Sequence, residues 1–427
     1  MCRNGDGFMG QILKKNYWWV IAAVTLVMAL LYGGVYNNFT AYHMIPVTEE
    51  LGCSRTNFST VYSVRAVVCI FSALLSGTVL RHHSLRKMAA AGFVFIAVSF
   101  AMMAFAKSYW VFLVGCALSG IPDGICYMAG ISRLLNRWFE KHRGLVLGAV
   151  TAATGVGSTL LGYVQSWAID TYSWRLSFLI ATGCFLTLAV LVILLIRDDP
   201  ENMGLKPCGA GNFKHKSKAP TVQWEGFSME YLQKRPVFYM LLVCSCLSCA
   251  GVLFVSLNIV PFLQDCGMEA TTARRVYGYM MLFLGVIKLG MGALCDRIGA
   301  KKGIQLCHIA CAAGVLMLLF LPRKEWIMTA TLLVFAVSMP VTTMMFPLLS
   351  VELFGYRGQN RYIGVIMAMV SASSVLASPI ANAVYDLSGS YTPIFWVSVG
   401  LEISLIAIYS VLFLLARREK RLLETNQ

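Results

Sequence analysis

The sequence predicts an all-α integral membrane protein with twelve transmembrane helices in two pseudo-symmetric six-helix bundles and both termini in the cytoplasm. Three observations predict it. First, residues are 58% hydrophobic and 13% charged, where a soluble domain carries about 25% charged residues, and mean hydropathy is +0.69. Apolar runs of about 20 residues, long enough to cross the hydrocarbon as helices, fall at 17–42, 57–80, 88–106, 109–135, 144–168, 175–196, 236–263, 273–294, 303–321, 327–353, 362–384 and 393–416. Second, basic residues crowd alternate loops. Third, the chain repeats itself: GTVLRHHSLRK (77–87) matches GALCDRIGAKK (292–302) at an offset of 215 residues.

The net charge of +15 follows the loops and so does not indicate nucleic acid. One set of loops and tails holds Lys14, Lys15, Arg81, Arg86, Lys87, Arg137, Lys141, Arg143, the 197–235 linker, Arg297, Lys301, Lys302, Arg357, Arg361 and the basic residues of 417–421. The other set holds only Arg55, Lys107, Arg175, Arg274, Arg275, Arg323 and Lys324. Basic residues flanking membrane helices concentrate on the cytoplasmic side, which orients the chain. Attraction to anionic lipid head groups is a secondary effect. The expected place is the plasma membrane, as a multi-pass monomer. The first apolar run is too long for a cleavable signal and lacks a small-residue cleavage site.

The segments divide into a cytoplasmic tail (1–16), a first bundle (17–196), a cytoplasmic linker (197–235), a second bundle (236–416) and a second tail (417–427). Tyr17, Trp18 and Trp19 mark the entry interface. The first run contains LYGGVYNNFTAY (31–42), where two glycines loosen the helix and Tyr36, Asn37 and Asn38 bring polar groups into the bilayer. Such a helix needs an aqueous neighbour or a polar helix partner. In the second run Arg65 lies about 24 Å from the cytoplasmic turn, and in the fourth Asp123 lies about 22 Å up from the same side. Equal depth suggests that they pair, either as a structural ion pair or as part of an outer gate and substrate element. Arg133 is close enough to the cytoplasmic interface to snorkel. The fifth run carries Gly144, Gly148, Gly155, Gly157 and Gly162, a small-residue stripe that lets backbones approach. After it the apolar pattern resumes to 196 and stops. The linker GLKPCGAGNFKHKSKAPTVQWEG (204–226) has no helical periodicity.

The eighth run carries the least expected residue. Lys288 sits eight residues before Asp296, hence about 12 Å into a hydrocarbon core about 30 Å thick. A charge at such depth costs roughly 2.5–3.5 kcal/mol on insertion scales, so it faces water or a partner. The run ends in a charged tight turn with Asp296, Arg297 and Gly299. Glu402 in the last run and His308 in the ninth are further buried titratable groups, read chiefly as bonded to neighbouring helices. Gln165, Asn258 and Asn382 are weaker pore-lining candidates. The fourteen cysteines, CSCLSC (244–249) among them, read as small hydrophobic side chains inside helices. No metal, disulfide or cofactor is expected.

Four stretches resemble one family. RWFEKHRGLVLGAVTAATGVGS (137–158) resembles the turn between helices 4 and 5 of the monocarboxylate transporter and oxalate/formate antiporter branch of the major facilitator superfamily. ELGCSRTNFSTVYS (50–63), RDDPENMGLKPCG (197–209) and VYDLSGSYTPIF (384–395) are similar to the same branch, in the expected order. The resemblance implies the major facilitator fold, with a substrate site between the halves near the midplane. It also implies an anion-binding role for Lys288, which stands four residues before Gly292 where monocarboxylate transporters have a substrate-binding arginine. A lysine keeps the charge and gives up the bidentate fork. Tyr127 matches an aromatic position of the antiporter branch and could flank a small anion with Tyr36. The second cation that antiporters bring from helix 11 is absent here, which favours a single carboxylate unless Arg65 or Arg133 supplies the charge.

These readings converge on a secondary transporter of a small organic anion, a monocarboxylate, working by alternating access with proton symport or anion exchange. Substrate contacts are expected from Lys288, Arg65, Tyr36, Asn37, Tyr127, Asp123 and Arg133, and gating from Asp296, Arg297, Gly292 and Arg143. The alternatives are proton-coupled efflux of a hydrophobic solute and a transport-dead membrane receptor. There is no nucleotide-binding loop, HExxH motif or serine nucleophile elbow, so an enzyme is not expected.

Overall fold

A computed structural model describes residues 17–36, 38–82, 84–139, 143–205, 207–208, 226–355 and 359–425. Nearly all of them are helical. In chain order the helices are α1 (Tyr17–Tyr36), α2 (Phe39–Leu51), α3 (Arg55–His82), α4 (Leu85–Ala104), α5 (Tyr109–Pro122), α6 (Met128–Trp138), α7 (Arg143–Thr171) and α8 (Trp174–Leu195). After the short linker helix α9 (Met229–Leu232) come α10 (Pro236–Ser256), α11 (Ile259–Asp265), α12 (Ala270–Ile298), α13 (Ala300–Phe320), α14 (Glu325–Ala336), α15 (Met345–Phe354), α16 (Gln359–Ser388) and α17 (Thr392–Thr425). Among the described residues, eight helices are long and apolar enough to cross a membrane.

Four of the apolar runs are broken, and they recur at every third position. The run over 17–42 divides into α1 and α2, and that over 109–135 into α5 and α6 around a π-turn at Asp123–Tyr127. The run over 236–263 divides into α10 and α11, and that over 327–353 into α14 and α15 around a 3-10 turn at Met339–Thr342. Each break has a local cause. Pro122 and Pro340 remove a backbone donor. Asn258 bonds its own helix through Nδ2 to the Phe254 carbonyl at 3.0 Å and so competes with the ladder it interrupts, whereas Asn38 donates Nδ2 across to the Ser158 carbonyl of α7 at 2.6 Å. α17 also runs on to Thr425, past the expected end at 416.

The two adjacent glycines near the first break act by packing. A Cβ on Gly33 would lie 2.6 Å from the Thr154 Cα, and one on Gly157 would overlap the Leu30 carbonyl. They let α1 and α7 touch backbone to backbone, as small residues do between membrane helices. The charged turn after α12 forms around Gly299, whose φ of 84° suits glycine. Glu352 of α15 caps the following helix by accepting the Ala300 N–H at 2.5 Å, which places a carboxylate on a positive helix end.

The apolar cores follow the sequence repeat. One is built wholly from residues between Ile21 and Ile196, with Phe39, Phe58, Phe112 and Phe178 stacked at its centre. Two more lie in the second half, one of them reaching across to Ala41 and Tyr42 of α2. Cys244, Cys249, Cys307 and Cys311 are buried there as packing groups. The linker is tied at both ends to matching places: Cys208 N–H donates to the Trp138 carbonyl at 2.8 Å, and Phe227 N–H to the Phe354 carbonyl at 2.9 Å.

Candidate functional site

A cavity of about 350 Å³ lies between the helices of the first and second halves, and three of the four breaks open onto it. From the first half come Tyr32 of α1, Tyr62 and Arg65 of α3, Asp123 at the π-turn and Thr154 of α7. The second half gives Ser256 at the end of α10, Tyr277 and Lys288 of α12, and Thr342 and Thr343 near the 3-10 turn. A broken helix presents side chains and free backbone groups to a cavity, which is where irregular backbone is tolerated at membrane depth.

Lys288, Arg65 and Asp123, distant in sequence, are therefore brought to one space. Arg65 is 8% exposed and its guanidinium lies 4.9 Å from the centre of the Tyr62 ring, a cation over an aromatic face. Lys288 is half-buried on α12. With Asp123 ionised, two cations face one carboxylate, so the space carries a net positive charge of a kind that draws in an anion. Hydroxyls from Tyr62, Tyr277, Thr342 and Ser256 surround it, and Ser256 Oγ has no hydrogen-bond partner among the described residues. Ligand cavities run from about 300 to 1,000 Å³, so this one suits a small solute.

The other sequence-selected residues are less fully placed. Tyr36 ends α1, Tyr127 ends the π-turn, and Arg133 and Arg143 lie on α6 and α7; their side chains fall outside the described residues, as does Asn37 entirely. Gly292 is one turn from Lys288 on α12, where a Cβ would meet the Met344 methyl at 3.4 Å. Asp296 and Arg297 lie in the last turn of α12, with Arg297 exposed and the Asp296 side chain undescribed. Asn258 and Asn382 do not line the cavity. They bond each other at 2.9 Å, and Tyr391 donates to Asn382 at 2.6 Å. Glu402 reaches His308 across α13 and α17, both fully buried.

Sequence reasoning missed Tyr277, although its signal is present. Tyr277, Met281, Leu284 and Lys288 recur at intervals of four, three and four residues along α12, so they share one helix face, and all line the cavity. It also missed the contacts that close one end. Arg55 grips Asp265 with both nitrogens at 2.6 and 2.7 Å and packs 4.0 Å from the Tyr385 ring centre. Arg274 reaches back to Asp170 at 2.5 Å and Ser166 at 3.1 Å. Thr56 N–H donates to Asp386 at 3.1 Å, Tyr42 to the Arg274 carbonyl at 3.0 Å, and Thr159 to the Gly278 carbonyl at 2.8 Å. These bonds join the halves at the end away from the basic loops.

The profile described as Major Facilitator Superfamily matches residues 24–359. Monocarboxylate transporter 12 of Homo sapiens is 24% identical over 358 residues, covering 78% of this chain and 69% of that protein. Among solved structures, a mutant of the nucleoside transporter NupG superposes with a TM-score of 0.75 at 11% identity, over 93% of this chain and 100% of that one. A bacterial homologue of the human lysosomal transporter Spinster, inward-facing and unoccupied, gives a TM-score of 0.67 at 14% identity, over 95% and 98%. At these identities the structural likeness concerns the fold.

Proposed function

The chain belongs to the Major Facilitator Superfamily, a family of membrane transporters and not of enzymes, and from that membership we propose that it moves a small organic anion, a monocarboxylate, across the plasma membrane. It works by alternating access, with proton symport or anion exchange, as a monomer of twelve membrane crossings in two six-helix bundles, 17–196 and 236–416, joined by the 197–235 linker. One observation carries this reading: Lys288, Arg65 and Asp123 line one small hydroxyl-rich cavity between the halves.

Lys288 binds the carboxylate, Arg65 supplies the second cation, and Asp123 balances that charge when the cavity is empty. Tyr36, Tyr127 and Arg133, on the helices around the cavity, complete the site together with Asn37. A monocarboxylate entering with one proton, or exchanged for another monoanion, moves no net charge against the membrane potential. The bonds joining the halves at the end away from the basic loops support an outer end that is closed and a site reached from the cytoplasm. Asp296, Arg297, Gly292 and Arg143 then form the inner gate, which is one-sided because Arg81 stands where the first half would repeat Asp296.

Uptake of labelled small carboxylates into proteoliposomes at imposed pH gradients tests the proposal. Wild type should accumulate at least one carboxylate, and Lys288→Ala should lose the uptake. Accumulation of none by the wild type, or undiminished uptake by Lys288→Ala, would refute it.

A further inference from the structure

A second cavity, of about 740 Å³, lies between α4 and α8 of the first half and shares no lining residue with the space between the halves. Its two ends differ in chemistry. Ser84, Arg86, Lys87 and Arg197 form the end at the basic loops, with Asp198 as the one carboxylate; the rest is Ala90, Ala91, Val94, Phe95, Val98 and Ile193. Asp198 is engaged at the N-terminus of α4, accepting the Arg86 N–H at 2.7 Å, so the side chains of Arg86 and Lys87 remain as a positive rim.

The geometry points to a binding site for an acidic glycerophospholipid. From Ser84 to Val98 the groove follows α4 for about 21 Å at 1.5 Å per residue, more than half of a hydrocarbon core about 30 Å thick. An occupant must therefore carry an anionic head at the interface and a long apolar chain running inward. Val94, Phe95, Val98 and Ile193 are 40–59% exposed and offer an apolar wall to an acyl chain running along the groove. Ala90 and Ala91 keep the floor low, so that a single acyl chain fits between the two helices. Basic pockets between membrane helices on the cytoplasmic side hold anionic head groups in this way. The corresponding basic pair of the second half is arranged differently: Lys301 Nζ sits 5.5 Å over the Phe413 ring.

The test uses the full-length protein, delipidated in detergent and titrated with phosphatidylglycerol or phosphatidylcholine, with retained lipid counted by native mass spectrometry. Wild type should retain phosphatidylglycerol in preference. Each cation near an anionic head is worth about fivefold, so the double variant Arg86→Gln/Lys87→Gln should lose most of a roughly 25-fold preference. Ala91→Trp, which fills the groove and leaves the rim charged, should also lose it. Lys301→Gln/Lys302→Gln should keep it, and millimolar inorganic phosphate should not displace the lipid. Retention of the preference in the Arg86/Lys87 variant, or its equal loss in the Lys301/Lys302 variant, would overturn the site. Displacement by phosphate alone would overturn the lipid as occupant.

Discussion

At the scale of single residues, the charges that stand alone in apolar runs were legible from the sequence. Lys288, Arg65 and Asp123 were each conspicuous, because an ion at membrane depth has few reasons to be there. Depth along the helices paired only Arg65 with Asp123; that Lys288 shares a site with them was implied by the family resemblance. Tyr62 and Ser256 were not legible, since a tyrosine or serine in an apolar helix reads the same whether it faces a cavity or packs, whereas Tyr277 was legible by its spacing from Lys288. His308 and Glu402 show the opposite case, titratable groups bonded to each other inside the second half: His308 also stacks on Tyr409 at 5.2 Å, and Tyr409 pairs with Ser248 at 3.0 Å. Removing one partner of a buried pair costs about 3–5 kcal/mol because the other is left uncompensated, while replacing both by apolar groups is often neutral. His308→Leu should thus lower the melting temperature clearly, and His308→Leu/Glu402→Leu should recover most of the loss. Equal losses in the two variants would mean that the pair contributes nothing as a pair.

At the scale of elements, the apolar runs located the helices, and hydropathy could not show which of them break. The breaks involve Asn38, Pro122, Asn258 and Pro340, residues that leave the hydropathy of a run almost unchanged. The glycine stripe of α7 was visible, but its two uses were not. Gly157 packs α7 on α1, and Gly155 meets the Met281 carbonyl of α12, where a Cβ would stand 2.6 Å away. The first contact lies within a half and the second between halves. Gly157→Val should prevent folding to a monodisperse protein, as judged by size-exclusion chromatography, because a backbone carbonyl has no room to yield. Gly290→Ala, where a Cβ meets nothing within 4 Å, should behave as wild type. Normal yield from Gly157→Val would show that α1 and α7 are less closely joined than described.

At the scale of the whole molecule, the repeat in the sequence reappears in how the halves hold each other. Arg55 of the first half clamps Asp265 of the second, and Arg274 of the second clamps Asp170 of the first. Asp170 and Asp386 occupy repeated positions, and Asp386 accepts from the start of α3 as Asp170 accepts from α12. The partners were not readable in the sequence, because the clamps join helix ends 104 and 210 residues apart. Arg55→Ala/Arg274→Ala should release this end. Spin labels placed at Lys107 and Lys324 should then show a larger population of long distances, and an unchanged distribution would mean that the clamps do not hold the closed form.

The account as a whole depends on Lys288 meeting a negatively charged guest. Equilibrium binding of the transported carboxylate to purified wild type and Lys288→Ala, followed by calorimetry, tests this most directly. A hydrogen bond to a charged group contributes about 1.5–3 kcal/mol, so the account predicts binding about ten- to a hundred-fold weaker in Lys288→Ala, with partial recovery in Lys288→Arg. Unchanged affinity in a folded Lys288→Ala protein would contradict it.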